Sequence, residues 1–530
     1  MSCLLRVELT ARLHLEAFWL DPWSYLTAVK WWLLRKRVRA RGQFAGLLGR
    51  TSFAYQWQCM RDEGEGKPQS PPGLPPIIGL VFGANLSSEA DATFACLSKE
   101  NIEAHRIGDN SAQALKTIAS EIDWSRSPWF MLIAAGDQIA PGAAQAYRDA
   151  ITKSPYRAIY ADDDKFTIRG RRSYPHYKPD WNAELFCHHD YLKGACIVKV
   201  DRVGFERAAG VQDWAAALIE GALSAGGKAE HIRKVLHHRR ARPAPRLPLP
   251  AVVIASNLPT LSAIIPTRNR AELLSTCISG LAAVDYPNLE VIVVDNGSDD
   301  PATLHLLDRL IERGVRVLRH PGAFNYSTIN NRAVAEAAGE LICLLNNDVE
   351  MLTSDWLSIM ATQALREDVG AVGAQLLYPD GRLQHAGVVI GVGNAAGHAH
   401  RYLRPEDKGY FRRHTLPQFV SAVTAACLVV RRDRFLAVGG FDETSFPIAF
   451  NDVDLCLKLN ARGWQSLYEP RAVLVHHESV SRGFDRDPVG SARLAGEIAA
   501  LQRRWQTNEV FDPFHHPKLS RVSEQFTLAC

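Results

Sequence analysis

The chain is short of several things, and each shortage removes a class of protein. Neither charge is in large excess: 61 Lys and Arg against 57 Asp and Glu leave a formal net charge of +4 over 530 residues. A dedicated nucleic-acid binder carries a domain-wide basic excess, so nucleic acid is not an expected partner. No apolar run reaches the length that a membrane span requires. The first residues, MSCLLRVELTARLHLEAF, lack the order of a secretory signal, and the expected location is the cytoplasm. The ten cysteines include no CxxC pair. Cys196, Cys343, Cys427 and Cys456 sit inside apolar runs and read as buried free thiols of a reducing compartment, rather than as disulfides or zinc ligands.

One shortage is local. From Trp23 to Arg61 there is no acidic residue, while Lys30, Arg35, Lys36, Arg37, Arg39 and Arg41 are interleaved with Trp23, Trp31 and Trp32. Basic side chains beside indoles suit an anionic membrane surface. Peripheral contact with the inner face of the cytoplasmic membrane is one reading of this stretch. A helix packed on its own protein with a solvated basic face is the other. Glu63 to Pro76, EGEGKPQSPPGLPP, then reads as a linker.

What is present in quantity is ordinary globular material. The composition is 47% hydrophobic and 22% charged, and the length implies roughly two to four domains. A second Pro-rich stretch, RPAPRLPLP from Arg242, marks a boundary. Beyond it short apolar runs alternate with helical spacing: strands at LSAIIP, LEVIVVD, VRVL and LICLL, with a helix from Ser327 to Ala338 among those between them. Asp299 or Asp300 caps one of these helices, with Pro301 in its first turn. The fold class is therefore α/β, a Rossmann-like, mostly parallel sheet covered on both faces, whose ligands bind beyond the carboxyl ends of the strands.

Two polar clusters fall at such ends: Asp295-Asn296-Gly297-Ser298 and Asn346-Asn347-Asp348. Asp295 suits a base N–H or a ribose hydroxyl, and Gly297 lets the backbone turn close to a ligand. Asp348 suits a divalent ion, Mg²⁺ or Mn²⁺, bridging diphosphate oxygens. Either cluster alone is also an ordinary turn. Farther on, Asn451-Asp452 opens a helix, where an ionised carboxylate is favoured by the dipole and can take a proton from a hydroxyl; a plain cap is the alternative. His476 and His477 follow a Val-rich strand, as a metal ligand, a diphosphate contact or structural histidines.

Taken in order, IIPTRNR, YPNLEVIVVDNGSDD, FNYSTINNRA, ELICLLNNDVE, LQHAGVV, AACLVVRRDRFLAVGGFDE, NDVDLCLKLNARGW and HHESVSRG resemble a family 2 glycosyltransferase with a GT-A fold. The resemblance implies inverting transfer of a sugar from a nucleotide-diphosphate donor to a glycan or lipid-linked glycan acceptor, with a divalent metal as cofactor. Rhamnosyl transferases of bacterial surface polysaccharides are the members it resembles most. It implies that Thr267, Asn269, Asp295, Gly297, Asn330, Asn331 and Asn347 meet the nucleotide sugar. Asp348 and His476 would hold the metal, Asp452 would be the general base, and Asn451 and His385 would face the acceptor. Two departures stand out: Asn346 replaces the first Asp of the Asp-x-Asp metal motif, and Asn451 replaces the Glu of a Glu-Asp pair. Each loses a charge, so a glycan-binding pseudoenzyme or scaffold is the alternative. A nucleotidyltransferase is disfavoured, because Pro266 to Arg270 contains no Gly for a phosphate loop.

The segment 75–241 reads as a worn copy of the same domain. WFMLIAAGD echoes ELICLLNND and ends on Asp137, GACIVKVDRVGF echoes AACLVVRRDRFLAVGGF, and VLHH echoes VLVHH. Asp213 to His237 spans the same 24 positions as Asp452 to His476. The copy is shortened where the nucleotide-binding strand and its helix belong, and it is expected to be non-catalytic. A second transferase of another linkage specificity is the alternative. Asp162-Asp163-Asp164 is expected to be a solvated loop, with a metal site as the alternative. The expected organisation is 1–74 basic segment and linker, 75–241 degenerate copy, 242–258 linker, 259–490 catalytic domain, and 491–530 C-terminal helix and tail.

Overall fold

The computed structural model describes residues 3–62, 75–83, 87–108, 110–166, 170–477 and 487–530. Most of the linker expected at Glu63–Pro76 lies outside the described residues, as does the HHESVSRG motif beyond His477. The chain divides into two compact units, Met1–Arg246 with His515–Ser520 and Leu528–Cys530, and Leu247–Phe514 with Arg521–Thr527.

Four helices open the first unit: α1 (Cys3–Leu20), α2 (Pro22–Leu33), α3 (Arg37–Leu48) and α4 (Ala54–Asp62). Asp21 separates the first two. Its carboxylate accepts from the Ser24 amide at 3.0 Å, with Pro22 in the first turn, where its missing N–H costs nothing. Tyr25 of α2 packs edge-on to His14 and Phe18 of α1 and to Phe44 of α3, so these helices share an aromatic centre.

The sheet of the first unit contains β1 (Ile77–Phe82), β2 (Glu103–Ile107), β3 (Trp129–Ala134), β4 (Gln138–Ile139), β5 (Ala158–Phe166), β6 (Arg172–His176), β7 (Cys196–Val198) and β8 (Ala229–Arg239). Its order is β2-β1-β3-β7-β5-β8-β4, with β6 on β5. The second unit contains β9 (Leu261–Thr267), β10 (Leu289–Asp295), β11 (Arg316–Arg319), β12 (Leu341–Leu345), β13 (Val349–Met351), β14 (Val369–Leu377) and β15 (Leu383–His385). The ribbon β16 (Val388–Ile390) and β17 (Ala396–His398) stands apart, followed by β18 (Gln418–Val420), β19 (Cys427–Arg431) and β20 (Gln465–His476). The order is β11-β10-β9-β12-β19-β14-β20-β13, with β15 on β14 and β18 on β20.

The parallel sheet expected from the sequence is present in β11-β10-β9-β12. Beyond it β19 runs antiparallel to both β12 and β14, so the whole sheet is mixed. With β11 and β18 removed, the second sheet has the strand order of the first and the same sense at every remaining pairing. The units are tandem copies of one α/β architecture.

The first copy is shorter in a different way from that expected. Its second strand is kept, as β2 parallel to β1. Between β2 and β3 lies one α-helix, Ser111–Glu121, whereas between β10 and β12 lie the helix Pro301–Glu312, β11 and the helix Tyr326–Glu336. Between those strands, an outer strand and a helix of the second copy have no counterpart among the described residues of the first. Asn110 caps the helix of the first copy where Asp300 caps that of the second.

The strand sequences are continuous apolar runs because both sheet faces are covered. In β12, Leu341, Cys343 and Leu345 face one core, with Leu274, Leu307 and Trp356; Ile342 and Leu344 face the other, with Ile329, Val334 and Leu459. Gly339 precedes this strand because a Cβ there would lie 2.5 Å from the Ser262 amide nitrogen of β9.

The acidic run 162–164 is not a solvated loop. It is the middle of β5, with all three side chains fully buried. Asp162 lies 3.0 Å from both His231 and His516. Asp163 meets Lys178 at 2.9 Å and pairs with Arg242. Asp164 accepts from Tyr55 at 2.6 Å and from Arg172 at 2.5 Å. Burial alone would raise the Asp163 carboxyl, but Lys178, Arg242 and Arg239 hold it well below the usual range. The three carboxylates are thus met by protein groups rather than by solvent.

Candidate active site

In the second unit β9, β10 and β12 run parallel, so their carboxyl ends lie on one side of the sheet: Asp295 pairs in register with Thr267, and Leu344 with Ile264. The chain leaves β12 through Asn346-Asn347-Asp348, and Asn347 donates to the Thr267 hydroxyl at 3.0 Å, tying two strand ends together. A cavity of about 990 Å³ opens here, lined by residues that include Thr267, Asn269, Asn347, Asp348, Asn451, Asp452 and His476. The structure thus brings seven of the sequence-derived residues to one cavity.

The other five lie off its wall. Asp295 is buried, one oxygen accepting from the Ser298 amide at 3.0 Å and the other paired with Arg319 at 2.9 Å. Gly297 takes φ +72° in the turn beside it. Asn330 is buried and donates to the Tyr326 carbonyl at 2.8 Å. Asn331 brackets Phe441, donating to its carbonyl and accepting from its amide, each at 2.9 Å. His385 is fully buried. Asn269, although on the wall, also accepts from the Asp299 and Asp300 amides at 3.0 Å, so it holds the turn after β10 in place.

Asp348 is buried, and its Oδ1 accepts no well-formed hydrogen bond. His476, the last residue of β20, places Nε2 3.1 Å from that oxygen. The other ring nitrogen, Nδ1, lies 2.7 Å from Gln384 Oε1, which can only accept, so a proton sits on Nδ1. Nε2 therefore faces the carboxylate either with a second proton or with a lone pair. A proton and a divalent cation are alternatives for that gap, and the oriented histidine beside a carboxylate is a donor set that suits Mg²⁺ or Mn²⁺ when phosphate oxygens complete it. Burial would raise the Asp348 carboxyl, but His476 beside it holds it below the usual range.

Asp452 occupies the first turn of the helix Asn451–Ala461. The preceding Phe450 has φ +60°, an uncommon backbone state for a bulky residue, and this kink turns Asp452 towards the cavity. Its Oδ2 accepts from the Ala425 amide at 3.0 Å and its Oδ1 from the Val453 amide at 2.8 Å. Burial pushes its carboxyl above the usual range, despite those bonds and one from Thr424. The site thus holds one carboxylate kept ionised beside a histidine, and a second made more basic.

Some lining residues carried no role in the sequence reading. Arg268 and Arg270 are exposed at the mouth, directly after β9; two arginines following a strand end were the available signal. Gln384 orients His476. His398 lines the cavity with His385 behind it, their Nδ1 atoms 2.9 Å apart. His385 Nε2 accepts from the Thr424 amide at 3.5 Å, which leaves its proton on Nδ1, directed at His398.

In the first unit the counterparts of the Asp348–His476 pair are engaged by protein groups. Asp137 is buried, accepts from the Arg240 amide at 2.8 Å and lies 3.4 Å from Arg239 Nε. Burial pushes its carboxyl up to about 6. His237 Nε2 is 2.7 Å from the Tyr147 hydroxyl.

Residues 262–436 match the family model described as Glycosyl transferase family 2. A Sinorhizobium fredii protein, uncharacterized protein y4gI, is 39% identical over 77% of this chain and 50% of its own length. O-antigen biosynthesis protein RfbC of Myxococcus xanthus is 33% identical over 74% of this chain and 34% of its own. An N-acetylglucosaminyl-diphospho-decaprenol L-rhamnosyltransferase of Mycobacterium tuberculosis is 29% identical over 41% of this chain and 74% of its own. The chain therefore spans half the length of the first of these relatives and a third of the second.

Proposed function

The chain carries a glycosyl transferase family 2 domain, and from that premise we propose that it moves a sugar from a nucleotide-diphosphate donor to a hydroxyl of a glycan or lipid-linked glycan, with inversion at the anomeric carbon. Relatives named for O-antigen biosynthesis and for rhamnosyl transfer support a bacterial surface polysaccharide as the product. The observation that carries the reading is that the Asp348–His476 pair and Asp452 line one cavity.

Asp348 and His476 are the residues that would hold a divalent ion, which when bound supplies counter-charge for the leaving diphosphate. Arg268 and Arg270 add positive charge at the mouth of the same cavity. Asp452, with its raised basicity, takes the proton of the acceptor hydroxyl. The acceptor oxygen forms its bond to the anomeric carbon from the face opposite the leaving group. The bond from that carbon to the diphosphate oxygen breaks, and its electron pair leaves with the nucleoside diphosphate. We read the first unit as a copy without a donor site, because Arg239 and Tyr147 engage the groups equivalent to the metal pair.

The test is to incubate the full chain with a panel of nucleotide sugars and Mg²⁺ or Mn²⁺, and to follow release of nucleoside diphosphate. Release with at least one donor, lost in Asp452→Ala while that donor still binds, is expected. Donor binding without release under every condition would favour the scaffold reading that Asn346 and Asn451 raise.

A further inference from the structure

We propose that the outer face of α1 and α2 is an interfacial anchor for an anionic lipid bilayer. Trp23, Leu26, Lys30 and Leu33 recur on one side of α2 at helical spacing, and all four are exposed. Trp23 is 82% exposed and Leu33 67%; Trp19, at the end of α1, is 72% exposed. Leu15, Leu20 and Leu34 are exposed as well. The opposite side of α2 is already satisfied, through Ala28 and the Tyr25 aromatic centre, so these indoles and leucines do not belong to the unit's own core. Apolar surface gathered in this way on a soluble fold marks an interaction site.

The chemistry of the rim selects the partner. Arg35, Lys36, Arg37, Arg39 and Arg41 are exposed directly after α2. Arg37 stacks over the Trp32 ring at 4.6 Å, and Lys36 and Arg39 lie over Trp31 at 5.3 Å. A protein partner would be met by mixed charge, whereas the two acidic side chains of α1 are engaged, Glu8 by Arg12 and Glu16 by Ser52, and no acidic residue follows Asp21 until Asp62. Indoles seated at headgroup depth, leucines just below them and a basic rim facing lipid phosphate make the pattern of a helix that lies in the interface plane. No helix among the described residues is long and apolar enough to cross a membrane, so this surface would lie on the bilayer. The inference does not depend on the transferase reading.

The experiment is co-sedimentation of the full chain with vesicles, either of phosphatidylglycerol and phosphatidylethanolamine or of phosphatidylcholine alone. Binding to the anionic vesicles is expected to exceed binding to phosphatidylcholine about tenfold or more, and to weaken as salt shortens the range of the charge interaction. Two variants locate the surface: Trp19→Ser with Trp23→Ser and Leu33→Ser, and Arg35→Gln with Lys36→Gln and Arg37→Gln. Each is expected to reduce anionic binding about tenfold or more with an unchanged melting temperature, since the side chains lie outside the core. Anionic binding that neither variant alters would overturn the proposal. So would a self-associated chain that the Trp variant converts to monomer without any vesicle binding, because a second copy would then be the occupant.

Discussion

Asp452 is placed to be basic at the expense of the fold. Its carboxyl is raised by burial, so the native state binds its proton more readily than the unfolded chain does. The stability linked to that proton is fully present below the ordinary Asp range and is lost as pH rises through the raised value. In the proposed reaction Asp452 acts in the opposite, ionised form. We expect the acid limb of the kcat/KM profile to lie above the ordinary Asp range, and Asp452→Asn to lower kcat by about 10²–10⁴-fold with donor affinity little changed. A turnover assay across pH and calorimetric donor binding check both parts. A limb at the ordinary Asp range would remove Asp452 as the base. The place of this residue was legible, since Asn451-Asp452 opens a run of helical spacing. That its oxygens are held by the Ala425 and Val453 amides was not readable, because Ala425 lies far away in sequence and offers only a backbone group.

At the scale of elements, legibility followed strand length and burial. β9, β10 and β12 could be read because strands covered on both faces are apolar at every position. The helix around Asn330 and Asn331 was also legible, yet what those side chains do was not. Asn331 bonds Phe441 and Glu443, so it fixes the segment leading towards Asp452, and only the folded chain brings them together. β15, β17 and β18 have three residues each, too few for periodicity to register. β15 nevertheless carries Gln384, which pins the tautomer of His476 at the end of β20. Gln384→Leu keeps bulk and removes the acceptor. We expect it to weaken Mn²⁺-dependent donor binding about 10–100-fold, read as the Mn²⁺ concentration that half-saturates binding. An unchanged half-saturation would mean that His476 is oriented by something else.

The duplication is a feature of the whole molecule, and the sequence carried it through spacing: Asp213 to His237 repeats Asp452 to His476. The acidic run of the first copy misled the reading because three adjacent carboxylates look solvated. Their partners, among them His516 for Asp162, Arg242 for Asp163 and Tyr55 for Asp164, come from segments that no local window joins. Asp163 and Lys178 are both fully buried, and removing one member of such a pair strands the other charge. Asp163→Asn is therefore expected to cost about 3–5 kcal/mol, seen as a lower guanidinium midpoint of unfolding. Because its neighbours hold the Asp163 carboxyl well below the usual range, the native pair's contribution should persist through mild acid and fade only in strong acid. An undiminished midpoint would show that the strand tolerates the lost charge.

The contact between Asp137 and Arg239 has a consequence for how the two halves answer their surroundings. A guanidinium carried on β8 is a counter-ion on a tether: it cannot be chelated, diluted or exchanged for a competitor. The first half should therefore be indifferent to EDTA and to swings in magnesium or manganese supply, leaving any such sensitivity of the chain to the second.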